Sequence, residues 1–263
     1  MTPMARISNE IHVSLLQINP SLHGPDRRIA KTLDLVRCTA EQQSGVLVLP
    51  EIWSGSFEYP DLLELSRRTP DILKEICDLS RTCSSVIIGS LPERDSGHLY
   101  NTAAVVDHGR IIGRYRKGHL FTPMHEDRYF TPGRSRKIFS TTFGRIGLAI
   151  CFDLRFPEHF AGLRGRGAWL LIVPAQWPDP RCAQWESLLI ARAIESQAFV
   201  AGCNRVGRTR TDQFCGNSLI VDPRGAVIAR GGRNAEVVSA VLRPGTVETV
   251  RKEIPMQRKK QRS

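Results

Sequence analysis

The segment Ile146-Gly-Leu-Ala-Ile-Cys151-Phe-Asp-Leu-Arg155-Phe-Pro-Glu158 constrains this chain most, because an apolar run passes straight into a cysteine, two charges and a proline. A short apolar run of this kind reads as a buried strand, and a following proline opens a helix. In open α/β sheets ligands gather at the carboxyl ends of strands, so a thiol one step past the run is displayed at a crevice on rigid backbone. Asp153 and Arg155 read as the point where the segment leaves the core. Two other apolar runs end similarly, Val46 to Pro50 at Glu51 and Ile111 to Arg116 at Lys117. An acid, an ammonium and a thiol therefore stand at three strand ends.

The rest of the chain alternates strand and helix. Ile11 to Ile18 reads as a strand, and Pro25 opens a helix whose Ile29, Leu33, Val36 and Ala40 keep helical spacing until Gly45 stops it. Val46 to Leu49 and Val86 to Gly89 read as buried strands, and Asp61 to Cys83 as a helix or a helix pair broken near Pro70. Ala103 to Val106 and Ile111 to Tyr115 flank Asp107-His-Gly109-Arg, which signals a hairpin. The second half repeats the plan: a hairpin at Phe143-Gly144 into Cys151, a helix from Pro157 to Gly165, a strand Trp169 to Val173 and a helix Trp185 to Gln197. A strand Phe199 to Cys203, a hairpin around Asp222 to Gly225 and a strand Val237 to Leu242 complete it. Helices over apolar strands imply sheets covered on their buried faces, hence a layered α/β architecture. The long loop Gly118 to Arg136 is of a length that in compact domains usually serves function.

At 263 residues, with no linker or low-complexity stretch, a single domain over 1–263 is expected, with an extended or partly disordered tail from about residue 251. No apolar run approaches the ~18 residues of a membrane helix, and the first nine residues lack the apolar stretch of a secretory signal, so neither membrane nor export is expected. Seven cysteines, an odd number without a Cys-x-x-Cys pair, predict reduced thiols in a cytoplasm, six of them as small core hydrophobes. The net charge of +11 speaks to association rather than fold. Its densest patch, Arg258 to Arg262, lacks aromatic interleaving and reads as a solvated terminus, so nucleic acid is not the expected partner.

An amide carbonyl is a poor electrophile, so a thiol attacking it must lose its proton, and the oxyanion must be neutralised where water does not screen it. Alone, Glu51 reads as a helix cap or surface acid and Lys117 as a sheet-edge charge; their joint occurrence with Cys151 at strand ends shifts the weight toward a catalytic set. Rival signatures are missing: there is no Gly-x-Ser-x-Gly elbow and no phosphate loop, and His125-Glu126 lacks a zinc protease's second histidine. His119, His125 and His159 read as structural or pocket-lining groups rather than metal ligands.

Leu49-Pro-Glu51, Tyr115-Arg-Lys117-Gly-His-Leu-Phe121 and Cys151-Phe-Asp-Leu-Arg-Phe-Pro-Glu158 resemble the three motifs of the nitrilase superfamily of carbon-nitrogen hydrolases. The resemblance extends through Glu126 to Gly133, Pro174-Ala-Gln-Trp177-Pro and Ala191 to Gly207. It implies a four-layer α-β-β-α sandwich, no metal or organic cofactor, and a second subunit paired through helical faces. It also implies Glu51 as general base, Lys117 as oxyanion stabiliser, Cys151 as nucleophile and Glu126 as a second acid orienting Lys117 and substrate, with the Phe152 backbone N–H as a further oxyanion donor. Cys-Phe-Asp-Leu-Arg-Phe is similar to the amidase branch, most narrowly to ω-amidases, which cleave the terminal amide of a dicarboxylic acid monoamide such as 2-oxoglutaramate. An amidase acting on deaminated glutathione or an N-carbamoyl compound is the alternative, and a basic nucleic-acid-binding protein the non-enzymatic one. Arg155 is expected either to grip a distant substrate carboxylate or to pair with Glu158 or Asp153, and Trp177 either to wall the pocket or to pack. Gly118, where an apolar residue often follows the lysine, and the short Thr122-Pro-Met-His125 loop depart from the family pattern and bear on substrate choice.

Overall fold

The computed structural model describes residues 9–21, 24–55, 60–135 and 137–256. Both halves are built from parallel strands joined through helices, with hairpins added at the edges. The first sheet contains β1 (Ile11–Gln17), β2 (Gly45–Val48), β3 (Val86–Asp95), β4 (His98–Asp107), β5 (Arg110–Arg116) and β14 (Glu236–Leu242), in the order β14-β1-β2-β3-β4-β5. The second contains β6 (Ile138–Thr141), β7 (Gly144–Leu148), β8 (Leu170–Ala175), β9 (Phe199–Asn204), β12 (Leu219–Val221) and β13 (Val227–Arg230), in the order β13-β12-β9-β8-β7-β6. A small ribbon of β10 (Val206–Arg208) and β11 (Gln213–Cys215) stands apart from both sheets. Within the sheets, β1-β2-β3 and β7-β8-β9 are the parallel sets.

The central strands β1, β2 and the first part of β3 are apolar on both faces because both faces are covered. Val13, Leu15, Val46 and Val48 pack with Ile146, Leu148 and Ile172 of the second sheet. Their neighbours Leu16, Leu47, Leu49 and Ile87 pack on the opposite side against Ile29, Leu33 and Val36 of α1 (Pro25–Gln42) and Ile72, Leu73 and Ile76 of α2 (Pro60–Thr82). The second sheet is covered by α3 (Pro157–Gly165) and α4 (Cys182–Ser196), through Phe160, Leu163, Leu189 and Ala193. This is the expected α-β-β-α sandwich.

Three local features refine the expectations. α2 is one helix that runs through Pro70 rather than a broken pair, and at that turn the Thr69 hydroxyl bonds to Leu65 O at 3.2 Å and to Pro92 O at 2.6 Å. β3 and β4 are ten residues each, longer than their apolar stretches, because they continue as an antiparallel hairpin whose outer half carries polar residues. The last helix, α5 (Gly245–Glu253), passes the boundary expected at about residue 251: Val247 and Val250 are buried, and Arg251 donates to Gln197 O at 3.2 Å and Ala168 O at 2.8 Å. The basic patch at 258–262 lies outside the described residues.

The cysteines also differ from expectation. Cys182 and Cys215, which are 33 residues apart, form a disulfide that ties the start of α4 to β11. Cys203 is the buried core thiol, directed at Val48 O between the sheets, whereas Cys38 is exposed and Cys77 and Cys83 are half-buried. No helix among the described residues is long and apolar enough to cross a membrane.

Candidate active site

The carboxyl ends of β2, β5, β7 and β8 meet where the two sheets face each other, and each delivers one piece of the site. The chain leaves β2 through Leu49 and Pro50 to Glu51, which is fully buried. Lys117 follows the last residue of β5, with its backbone N–H on Asn101 O at 2.8 Å and its carbonyl accepting from Gly133 N at 2.8 Å. A Cβ on Gly133 would stand 2.2 Å from Arg116 O, so only glycine lets the loop that follows Lys117 return this close to the strand that presents the lysine. That loop carries Glu126 into the interior.

Three of these side chains form one ionic cluster. Lys117 Nζ lies 2.8 Å from Glu51 Oε1 and 2.7 Å from Glu126 Oε1, with all three side chains essentially inaccessible to solvent. Asn101 Nδ2 donates to Glu51 Oε1 at 2.7 Å, the Gln176 N–H donates to Glu51 Oε2 at 2.9 Å, and Gln176 Nε2 donates to the Glu51 carbonyl at 2.8 Å. Glu126 Oε2 accepts the Phe121 N–H at 3.1 Å. Buried charges survive only when paired and hydrogen-bonded, and these are both. Burial alone would lower the Lys117 pKa, but Glu126 and Glu51 hold it well above the ordinary lysine value, so it remains an ammonium. Burial raises Glu126 to about 7 and Glu51 adds to the rise, against the pull of Lys117.

Cys151 sits beside this cluster. Its backbone has φ +46°, a left-handed conformation uncommon for a residue with a side chain, at the first residue of a short 3-10 helix, Cys151–Arg155. The thiol is buried and directed at Gln176 O, 3.8 Å away. Burial pushes the thiol pKa well up and Glu51 pushes it further, with Lys117 opposing, so the resting group is a neutral thiol that needs a base. The Phe152 N–H, next along the turn, has no protein acceptor among the described residues.

Asp153 does not leave the core, contrary to the reading from sequence; it is fully buried. Its Oδ2 accepts from Ile150 N at 2.9 Å and from the Tyr115 hydroxyl at 2.7 Å, and its Oδ1 accepts the His119 N–H at 2.9 Å and lies 2.7 Å from His119 Nδ1. Although burial would raise the pKa of this carboxyl, His119, His159 and these donors hold it below the ordinary aspartate value. The nucleophile turn is thus fastened to the segment that carries Lys117. His119 stacks on Phe156 with ring centroids 3.6 Å apart, and His159 Nε2 lies 2.8 Å from Leu148 O.

A narrow cleft with a free volume of only about 10 Å³ lies over Cys151, lined by Phe121, Phe152, Trp177, Arg155, Arg181 and Glu126 among others. Trp177 both walls it and packs, with its backbone N–H on Asn204 Oδ1 at 2.7 Å and its ring against Trp185. Asp153 is committed elsewhere, and Arg155 has no carboxylate partner among the described residues; it donates to Gln184 Oε1 at 2.5 Å and lies 5.0 Å over the Trp177 ring. Asn101, Gln176, Asp153 and Arg181 are the site residues that sequence reasoning missed. The one cluster of metal-ligand type among the described residues is Asp179 with Cys182 and Cys215; the two sulfurs are bonded to each other and Asp179 pairs with Arg233 at 2.9 Å.

Taken together, a neutral thiol, a carboxylate, a buried ammonium and an unclaimed backbone donor can add sulfur to a carbonyl and stabilise the resulting oxyanion. Comparison with known proteins gives the family and the fold. The model of the carbon-nitrogen hydrolase family matches residues 12–252. The chain is 37% identical over 249 residues to the 2-oxoglutaramate amidase of Bacillus subtilis (strain 168), covering 93% of this chain and 95% of that one. It is 30% identical over 260 residues to the human omega-amidase NIT2, covering 94% of each. Among solved structures, Saccharomyces cerevisiae Nit3, of branch 10 of the nitrilase superfamily, superposes with a TM-score of 0.89 at 25% identity over 97% of this chain and 98% of that one.

Proposed function

The chain belongs to the carbon-nitrogen hydrolase family, and on that footing we propose that it is a cysteine-dependent amidase of ω-amidase type. Its substrate is a small molecule bearing a terminal amide and a carboxylate, such as 2-oxoglutaramate, and its products are the acid and ammonia. The observation that carries this reading is the buried Lys117 held between Glu51 and Glu126 beside the thiol of Cys151. Kinship to a 2-oxoglutaramate amidase directs the choice of amide.

In this reading Glu51 Oε2, which accepts one hydrogen bond from Gln176, takes the thiol proton as Sγ bonds to the amide carbon. The carbonyl oxygen becomes an oxyanion, neutralised by Lys117 and by the Phe152 N–H. When the oxyanion collapses the C–N bond breaks, and the nitrogen leaves as ammonia with the proton that Glu51 returns to it. Glu51 then removes a proton from water, the hydroxide displaces sulfur from the thioester, and the proton restores the thiol. Glu126 holds Lys117 in place from the other side. No organic cofactor or metal enters these steps.

The same reading makes the chain one catalytic domain that pairs with a second copy, with Ile194 of α4 and Ile254 beyond α5 as exposed apolar residues on offer. It places the enzyme in a cytoplasm without nucleic-acid or membrane partners; five free cysteines support that location, and the Cys182–Cys215 bridge is the feature at odds with it. Ammonia release from 2-oxoglutaramate, succinamate and a simple aliphatic amide is the test. Turnover fastest on the carboxylate-bearing amides is expected, and silence on every amide contradicts the reading.

A further inference from the structure

Two guanidiniums stand at the cleft without any carboxylate to neutralise them. Arg155 lies 5.0 Å over the Trp177 ring and 6.0 Å from the centre of Phe152, and Arg181 lies 5.4 Å over Phe121. Both line the cleft above Cys151, and neither has an acidic partner among the described residues. The nearest acid in sequence, Asp179, is taken by Arg233. Each arginine is nonetheless held: Gln184 Oε1 accepts from Arg155, and the Trp177 indole N–H fixes the Arg181 carbonyl at 2.8 Å. Burial and the charge of Arg181 together depress the Arg155 pKa, so the pair repel one another in the empty site. Like charges kept close at a cleft, walled by aromatic rings, cost stability that a bound anion would return.

The floor of the cleft offers no free cation. Lys117 is held there between Glu51 and Glu126, so a carboxylate carried to the thiol meets an ammonium already paired, whereas a carboxylate left at the mouth meets two guanidiniums.

We propose that Arg181, together with Arg155, forms a two-armed clamp for the remote carboxylate of the substrate and thereby fixes both its class and its orientation. The substrate is a short monoamide of a dicarboxylic acid, bound amide first. This rests on the amidase reading and assigns a specificity-determining role to Arg181, a residue outside the three catalytic motifs.

The test compares kcat/KM for succinamate with that for its neutral isostere, 4-oxopentanamide, in the full-length protein. Hydrogen bonds to charged groups of this kind carry about 10- to 100-fold in affinity. R181M is expected to lower the succinamate preference by that factor, R155M comparably, and R181K by less because it keeps the charge without the fork. R181E should shift preference toward the cationic 5-aminopentanamide, a gain that misfolding does not produce. An unchanged preference in R181M, whether or not R155M destroys it, overturns the two-arginine clamp. If the wild-type protein releases ammonia from no amide, the amidase reading fails instead, and calorimetry with succinate decides the clamp separately: at least 10-fold weaker binding to R181M supports it, and equal binding overturns it.

Discussion

The carboxylate of Asp153 accepts the backbone N–H of Ile150 at 2.9 Å and so closes, from behind, the turn on which Cys151 stands. The same carboxylate accepts from Tyr115 and His119, which flank Lys117 in sequence, so one buried side chain sets the spacing of nucleophile and ammonium. Asp153→Asn puts an NH₂ where only acceptors fit. Unsatisfied buried groups cost about 1–3 kcal/mol, and a displacement of about 1 Å at reacting atoms can cost 10²-fold. A lowered denaturation midpoint with a fall in kcat larger than the rise in KM is expected; unchanged kcat would show that Asp153 does not position the turn.

Lys117→Ala removes a buried cation and leaves Glu51 and Glu126 facing each other. Losing one oxyanion donor typically costs about 10² to 10³ in rate, and the loss here is at least that large. Steady-state turnover measures it. A Lys117→Ala protein with near-normal turnover would remove the ammonium from the chemistry.

Glu126 gives stability a defined pH dependence. With the folded pKa raised from 4.5 to about 7, the folded state holds a proton that the unfolded chain releases, so this contribution is complete below about pH 4.5 and is lost as pH rises through about 7. Glu126→Gln does not titrate. The stability of the wild type relative to this variant, from urea titrations, therefore falls between these pH values and is flat above them. A difference that rises over that interval contradicts the assignment.

The Cys182–Cys215 bridge anchors the start of α4, one residue beyond Arg181, to the β10–β11 ribbon. Closing a loop of 33 residues constrains the unfolded chain by about 3–4 kcal/mol in the chain-entropy view. Cys182→Ser is expected to lower the denaturation midpoint without removing activity, since neither sulfur meets substrate. An unchanged midpoint under oxidising conditions would show that the bridge adds no stability.

Much of the fold was legible because both faces of the strands are buried, so apolar runs such as Val46 to Leu49 and Leu170 to Val173 stand out. Glu51, Lys117 and Cys151 were legible because each interrupts such a run at its end. The outer half of the β3–β4 hairpin was not, since Glu93, Arg94 and Asp95 read as loop while their ladder to His98–Tyr100 is formed across the sheet edge. Asp153 was misread because a charge after a strand ordinarily faces water, and nothing local reveals the four donors that converge on it. Asn101 lies in mid-strand, Gln176 acts as much through its backbone as through its amide side chain, and Arg181 reaches the cleft only through the turn before α4. The Cys182–Cys215 pairing depends on two segments that meet only after folding.

The most direct test is mass spectrometry of the wild-type protein quenched with acid during turnover of 2-oxoglutaramate, followed by peptide mapping. A single adduct on Cys151 is expected, with the mass of the amide less ammonia, and it should be absent from Cys151→Ala. An adduct on any other residue, or Cys151→Ala turning over at a rate near wild type, would contradict thioester catalysis by this cysteine.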